Sequence, residues 1–141
     1  MYISKKHKTI ILQPPIPETL LATIPGAVRS AKDPSKVLIH HTVENVQILR
    51  DLGYKRMSSP VLYEYKWQGR NTPYRHQLAT ASFLTAAKKG FVFNGIGSGK
   101  THSALWSSDY LMNKNLVQRA LIISPLSTLE RVWMDAIFVD F

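Results

Sequence analysis

A glycine-rich segment near the middle of the chain contains the residues that are best suited to chemistry. Residues 93–101 read FNGIGSGKT and lie between an apolar stretch and a sequence typical of a helix. Glycines let successive backbone N–H groups turn into one cradle, and the N-terminus of the following helix adds partial positive charge. Such a cradle suits the β- and γ-phosphates of a nucleotide. The residues predicted to form it are Gly95, Gly97, Ser98, Gly99, Lys100 and Thr101.

Individual positions within this loop have different predicted roles. Lys100 supplies a cation for the phosphates, and the Thr101 hydroxyl can join the coordination shell of a Mg²⁺ ion that the nucleotide carries. Gly97 and Gly99 are the positions that most need to lack a side chain. The full phosphate-loop pattern GxxxxGK[ST] begins with glycine, whereas this chain has Asn94 there, so the match is incomplete.

The sequence around the loop alternates between strand and helix patterns. Residues 72–89 predict a helix, with Thr72 as its N-cap and Gly90 as its stop. Short apolar stretches at residues 91–94 and 119–124 predict buried strands, each followed by a helix. Strands that alternate with helices in this way indicate an α/β fold built from parallel βαβ units.

The N-terminal part of the chain predicts a smaller α/β unit. Residues 8–13 and 36–41 are apolar and β-branched, which predicts two strands, and the PPIPE sequence at 14–18 predicts a turn after the first. Thr42 is placed to cap a helix that Gly53 ends.

An aromatic row precedes the long helix. Residues 61–67 read VLYEYKW, so that Tyr63, Tyr65 and Trp67 alternate with other residues and would share one face of a strand. An aromatic row near basic residues can stack unpaired bases. It can also pack on a protein core, and the sequence leaves both interpretations open.

Composition limits the classes of protein that the chain can belong to. Its 141 residues, 45% of them hydrophobic, can bury one core and a small appended unit. The absence of cysteine excludes thiolate metal sites, and His40 and His41 would point to opposite faces of a strand instead of sharing a metal. No stretch of about 18 apolar residues and no signal peptide is present, so we expect a cytoplasmic protein.

The chain is strongly basic, with 18 Lys and Arg against 9 Asp and Glu. Residues 1–70 hold 11 basic and 5 acidic groups, and residues 71–141 hold 7 and 4. Positive charge attracts nucleic acids through counterion release, although a solvated basic surface would look the same. If the charge binds nucleic acid, its distribution predicts that the N-terminal unit dominates the affinity. The residues predicted to do so are Lys5, Lys6, Lys8, Lys55 and Arg56.

Two further stretches give the phosphate loop a specific context. Residues 72–77, TPYRHQ, are similar to the adenine-reading Q motif of superfamily-two helicases, and they precede the loop as that motif does. Residues 120–133, ALIISPLSTLERVW, resemble motif Ia of the Swi/Snf group. With the loop, these stretches resemble the N-terminal portion of a bacteriophage Swi/Snf-like superfamily-two DNA helicase.

This resemblance implies a fold, ligands and residue roles. It covers residues 60–141 as a first RecA-like lobe, whereas residues 1–59 are only loosely similar to HARP-type accessory modules. It implies ATP and Mg²⁺ as cofactors, duplex or branched DNA as the partner, and the cytoplasm of a bacterial host. The Gln77 amide would read the N7/N6 edge of adenine. The residues that would hold a DNA phosphate are Ser124, Ser127 and Thr128.

Two features of the C-terminal part modify this expectation. Ser127 and Glu130 have the spacing of a capping box, so Ser127 could serve only as a helix cap. No Asp-Glu-x-His box follows motif Ia before Phe141, and a second lobe is missing as well. The carboxylate that would organise Mg²⁺ and the attacking water is therefore absent, and we expect ATP binding with very poor hydrolysis.

Two functions of different classes remain open from the sequence. The first is an ATP-binding N-terminal fragment of a phage DNA helicase or translocase. The second is a complete short helicase-derived phage protein that does no chemistry. Such a protein would act as a binding decoy or inhibitor of a host nucleic-acid enzyme or a defence complex.

Overall fold

The protein combines a small sheet with helices. The computed structural model describes residues 1–13 and 18–141, and only the backbone of residues 19 and 20. A π-helical segment at Leu129–Met134 lies between the last two helices. The strands are β1 (Tyr2–Ser4), β2 (Thr9–Leu12), β3 (Val28–Arg29) and β4 (Val37–His40). The helices are α1 (Glu18–Leu21), α2 (Val43–Asp51), α3 (Val61–Glu64), α4 (Arg75–Ala86), α5 (Lys100–Asn113), α6 (Leu126–Thr128) and α7 (Asp135–Asp140).

The four strands form one antiparallel sheet in the order β1-β2-β4-β3. In its centre, Ile10 of β2 lies opposite Ile39 of β4, and both side chains are fully buried. Both strands predicted in the N-terminal part are therefore confirmed. The turn predicted at residues 14–18 lies mostly outside the described residues.

Helix α2 begins and ends where the sequence predicts. The Thr42 hydroxyl accepts a hydrogen bond from the backbone N–H of Asn45 at 3.2 Å, which is the geometry of an N-cap. After the last turn, Gly53 has a φ of 97° and donates its N–H to the carbonyl of Arg50 at 3.0 Å. A positive φ favours glycine, so this residue ends the helix at little conformational cost.

Residues 61–67 begin with a short helix, so the strand predicted there was wrong. The Tyr65 N–H donates to the carbonyl of Val61 at 3.2 Å and closes the turn of α3. Pro60 precedes it with a φ of −62°, which is already the value that a helix needs. A strand requires a neighbouring strand for its backbone groups, whereas this segment satisfies them locally.

The aromatic row packs mostly in the interior. Tyr65 is buried and Trp67 is half-buried, and their rings meet edge to face with centroids 5.2 Å apart. Trp67 also meets Trp106 of α5 at 5.5 Å. Of the two interpretations left open, core packing is therefore what the structure shows for Tyr65 and Trp67. Tyr63 lies apart, with its hydroxyl 3.0 Å from Nδ1 of the buried His41.

The environment of His41 leads to a prediction about pH. Its Nε2 lies 2.9 Å from the carbonyl oxygen of Ser58, and burial lowers the pKa of the ring below the usual 6.5. The unfolded chain therefore takes up a proton at a higher pH than the folded chain does, so stability falls as the pH drops below 6.5. We expect the urea midpoint to decrease between about pH 7 and about pH 5. His41→Gln should show a smaller decrease, and an equal one would contradict this explanation.

Helix α4 begins later than predicted and also ends earlier. The N–H of Tyr74 donates to Oε1 of Gln77 at 2.9 Å, so Tyr74 is the residue that precedes the first turn. The cap predicted at Thr72 was wrong because the Gln77 side chain closes this end of the helix. Gly90 lies beyond the helix, and a Cβ there would be 2.6 Å from Cζ of Phe83. Gly90 therefore serves packing and does not stop the helix.

The apolar segments at residues 91–94 and 119–124 form no strand. Within the described part of the chain, neither segment pairs its backbone with another one. The mixed α/β class is confirmed, but the predicted parallel βαβ units are not formed. A strand needs a neighbour to satisfy its N–H and C=O groups, and these segments find none there. Their most exposed large side chains are Phe91 (83%), Phe93 (91%), Leu121 (86%) and Ile123 (89%).

Two clusters of buried apolar side chains hold the elements together. One lies between the sheet and α2 and includes Ala86 from the end of α4. The other joins α2, α3 and α5 through Val43, Val61 and Tyr110. Helix α4 thus packs beside α2 at one end and along α5. No helix among the described residues has the length and apolarity that crossing a membrane requires.

Candidate functional site

The glycine-rich loop leads into α5 with two glycines in the left-handed region. Gly97 and Gly99 both have a φ of 74°, which residues with a side chain rarely adopt. A Cβ on Gly97 would meet nothing within 4 Å, whereas a Cβ on Gly99 would lie 2.0 Å from Nε2 of Gln77. Both glycines are needed for the backbone conformation, and Gly99 is needed for space as well.

The Lys100 side chain folds back over this loop. Its Nζ donates to the carbonyl oxygens of Asn94 at 2.9 Å and Gly95 at 2.8 Å. An ammonium group has three protons, so one remains for a ligand. Thr101 follows in the first turn of α5 and is half-buried. The loop carbonyls therefore hold a cation next to the N-terminus of a 14-residue helix.

Asn94 occupies the position at which the full phosphate-loop pattern has glycine. Its Nδ2 donates to the Thr80 hydroxyl at 2.8 Å, and that hydroxyl donates to the carbonyl of His76 at 2.8 Å. The amide thus ties the start of the loop to α4, which a glycine could not do. This contact gives a structural reason for the departure from the pattern.

The N-terminal turn of α4 contacts the loop through two side chains. Nε2 of Gln77 donates to the carbonyl oxygen of Ser98 at 3.3 Å, and Nε2 of His76 lies 3.0 Å from the same oxygen. The structure therefore brings Gln77, predicted as an adenine reader, directly to the phosphate loop. Sequence reasoning missed His76, and its position next to Gln77 was the only available signal.

Ser98 leaves one polar group of the loop unsatisfied. Its hydroxyl is buried and has no hydrogen-bond partner among the described residues. A buried hydroxyl without a partner is costly, by about 1–3 kcal/mol. A contact with a ligand, or a small rearrangement of the loop, would remove this cost.

Two hollows lie on either side of Tyr74 and Gln77. One, of about 410 Å³, is bounded by the glycine-rich loop, and the other, of about 400 Å³, is bounded by residues 69–72. The exposed Tyr74 ring stacks on His76 with centroids 5.7 Å apart and an angle of 9°. Each hollow is within the size range of small-molecule sites. Together they offer neighbouring places for a polyphosphate and for a planar base.

An ion pair closes the second hollow. Nε2 of His102 lies 2.7 Å from Oδ2 of Asp140, and the backbone N–H of Arg70 donates to Oδ1 at 3.3 Å. The hydrogen bond from His102 lowers the pKa of Asp140, and the bond from Arg70 contributes in the same direction. The Trp106 indole N–H donates to the carbonyl of Gln68 at 2.8 Å and fixes the wall. Sequence reasoning missed this pair, because no motif connects positions that lie so far apart.

The residues predicted to contact DNA are placed around the start of α6. Oγ of Ser124 lies 2.6 Å from the hydroxyl of Thr128, which donates to the carbonyl of Pro125 at 2.9 Å. Ser127 is exposed and lies outside this pair. The predicted capping box was wrong, because the helix begins directly after Pro125 and Ser127 is already inside it.

The site offers little to a metal ion on its own. No group of three or more His, Asp or Glu among the described residues could hold one. The residues that line the hollow beside the loop include no carboxylate. Any Mg²⁺ at this place would therefore depend on oxygen atoms of a nucleotide, with the Thr101 hydroxyl as the nearest candidate from the protein.

In comparisons with known proteins, no protein-family model, curated protein or solved structure matched the chain. A functional conclusion therefore depends on the motifs and on the geometry of this site.

Proposed function

We propose that the chain binds ATP with Mg²⁺ as the N-terminal part of a phage Swi/Snf-like superfamily-two DNA helicase or translocase. The observation that supports this most strongly is the Lys100 ammonium, held by the carbonyls of Asn94 and Gly95 where α5 begins. A helix N-terminus carries about half a positive charge and free N–H groups. A lysine and a helix N-terminus at one glycine-rich loop suit a polyphosphate.

The two hollows support an orientation for the nucleotide. The phosphates lie at the loop against Lys100, and the base lies towards the second hollow, which shares Tyr74 and Gln77 with the first. The Gln77 amide retains a second proton on Nε2 and a second lone pair on Oε1. It can therefore contact adenine while it keeps its hydrogen bonds to Ser98 and Tyr74.

Mg²⁺ fits this proposal through the nucleotide. When bound, the ion would neutralise phosphate charge and bridge phosphate oxygens. Thr101 is the protein residue that would join its shell, since its hydroxyl follows Lys100 in the first turn of α5. Hydrolysis is a different matter, because phosphoryl transfer needs a carboxylate to organise the ion and the attacking water. With none lining the loop hollow, we propose that turnover is negligible.

The proposed RecA-like lobe gives the two unpaired segments a role. Residues 120–123 line an apolar hollow of about 270 Å³ with Leu105 of α5 and Trp133. In a parallel sheet, this segment and residues 91–94 would be strands on which α5 packs. Pairing with further strands would satisfy their backbones and cover Phe93 and Ile123.

A titration with a non-hydrolysable ATP analogue and Mg²⁺ tests this proposal. We expect a Kd of about 0.1–1 mM, because one lobe supplies only half of the contacts that close over ATP. A phosphate-release assay should stay at background with and without duplex DNA. No binding of the analogue at millimolar concentration would contradict the proposal.

The alternative, a decoy or inhibitor of a host nucleic-acid enzyme or a defence complex, is favoured by a different observation. Phe91, Phe93, Leu121 and Ile123 are exposed on segments with unpaired backbone. Apolar side chains and free backbone groups together suit pairing with a strand of another protein. A chain that binds such an enzyme in a defined stoichiometry, but binds no nucleotide, would support this function.

A further inference from the structure

A basic groove lies where the C-terminal ends of α2 and α4 meet. Its volume is about 470 Å³, and the small side chains of Ala86 and Ala87 form part of its lining. Four of its side chains are cationic and one is a carboxylate. These charged residues are Arg50, Asp51, Lys55, Lys88 and Lys89.

The groove is held in shape by contacts between the two helices. Nη1 of Arg50 donates to the carbonyl of Lys55 at 3.3 Å, and the guanidinium lies over the Phe83 ring, 5.7 Å from its centroid. Nε2 of Gln47 donates to the carbonyl of Thr85 at 3.2 Å and links α2 to α4. A guanidinium has five N–H donors, so most of those on Arg50 remain for a ligand.

The positive charge of the groove is not neutralised by its surroundings. Lys88 pairs with Asp51 at 2.7 Å, whereas Lys55 and Lys89 have no ion pair among the described residues. Each helix C-terminus contributes about half a negative charge, so the two ends offset about one cation. The groove therefore remains positive after both corrections.

We propose that this groove binds the sugar-phosphate backbone of DNA. Two mobile ammonium groups and a fixed guanidinium, above a lining of small side chains, suit phosphodiesters and carry no means of reading bases. This inference rests on the nucleic-acid partner of the proposed function but not on nucleotide binding. The groove lies at the end of α4 opposite Gln77, about 14 Å away along the helix.

The structure separates this groove from the other N-terminal basic residues. Lys5 and Lys6 belong to the turn between β1 and β2, where the carbonyl of Lys8 accepts from the N–H of His41 at 2.8 Å. That turn lies near the N-terminus of α2, whereas Lys55 follows its C-terminus, about 14 Å along the nine-residue helix. The sequence grouped Lys55 with the turn, and the tertiary structure groups it with the end of α4.

Fluorescence anisotropy with a labelled DNA duplex at several salt concentrations tests the proposal. We expect Lys55→Gln/Lys89→Gln to weaken binding about tenfold at low salt, and to lower the slope of log K against log salt by about 2, since two phosphate contacts are lost. The loss should be the same for duplexes of unrelated sequence. Lys5→Gln/Lys6→Gln is the matched control with the same change in net charge, and its affinity should change less than twofold.

Each other outcome separates this inference from neighbouring ones. Equal weakening by both pairs would overturn it, because charge would then act without a defined site, and so would unchanged binding in the groove variant. A parent chain that binds anionic phospholipid vesicles but no duplex would also overturn it. Lys100→Ala should keep its DNA affinity, and the groove variant should still bind the ATP analogue. A groove variant that keeps DNA affinity but loses the analogue would overturn the inference and leave the nucleotide site intact as a proposal.

Discussion

Lys100→Ala is expected to abolish binding of a non-hydrolysable ATP analogue, measured by calorimetry. In the free protein, Nζ donates to the carbonyls of Asn94 and Gly95, so removal of the ammonium takes away the cation and also leaves those two oxygens without their donor. Charge-assisted hydrogen bonds to phosphate are worth about 1.5–3 kcal/mol each. Starting from about 0.1–1 mM, that loss moves the Kd beyond the measurable range.

Two variants serve as controls for this result. Lys66→Ala removes an exposed lysine outside the loop and should leave the affinity unchanged. Gln77→Ala should relax the preference for adenine over guanine and leave triphosphate binding partly intact. Equal affinity of Lys100→Ala and the parent chain would remove the phosphate-loop assignment. DNA-stimulated phosphate release that disappears in Lys100→Ala would show that the chain is catalytically complete, contrary to our proposal.

Gly99→Ala should destabilise the protein far more than Gly97→Ala, although both glycines have the same φ. The left-handed conformation costs a residue with a side chain about 1 kcal/mol, which applies to both variants. Only at Gly99 would the new Cβ lie 2.0 Å from Nε2 of Gln77. The Gln77 side chain would move away and lose its bonds to Ser98 and Tyr74, at about 1 kcal/mol each. We expect losses in the free energy of unfolding of about 3 kcal/mol for Gly99→Ala and about 1 kcal/mol for Gly97→Ala.

A double-mutant cycle tests the cause of this difference. In a Gln77→Ala background the steric conflict is absent, so Gly99→Ala should cost only about 1 kcal/mol there, as Gly97→Ala does in the parent chain. Urea unfolding of the four proteins supplies the required free energies. If Gly99→Ala costs the same with and without Gln77, the contact between α4 and the loop does not stabilise the protein.

Features that depend on neighbours in the chain were predictable from the sequence. The hydroxyl of Thr42 caps a helix that begins one residue later, and Gly53 ends that helix with a positive φ. The same holds for the loop that leads into α5, where glycines and Lys100 are only a few residues apart. Hydrogen bonds and backbone preferences at this range are set by residue types, so a pattern identifies them.

Features that need a distant partner were decided by the tertiary structure. Residues 91–94 and 119–124 have the composition of buried strands, yet composition supplies no neighbour, and without one they remain unpaired among the described residues. Conversely, Asp140 reaches His102 and closes a wall of the site, and Lys89 joins Lys55 in the basic groove. No periodicity relates such positions, because packing of whole helices against one another determines which side chains meet. The sequence by itself therefore determined the phosphate loop and the helix ends, and only the tertiary structure decided what surrounds them.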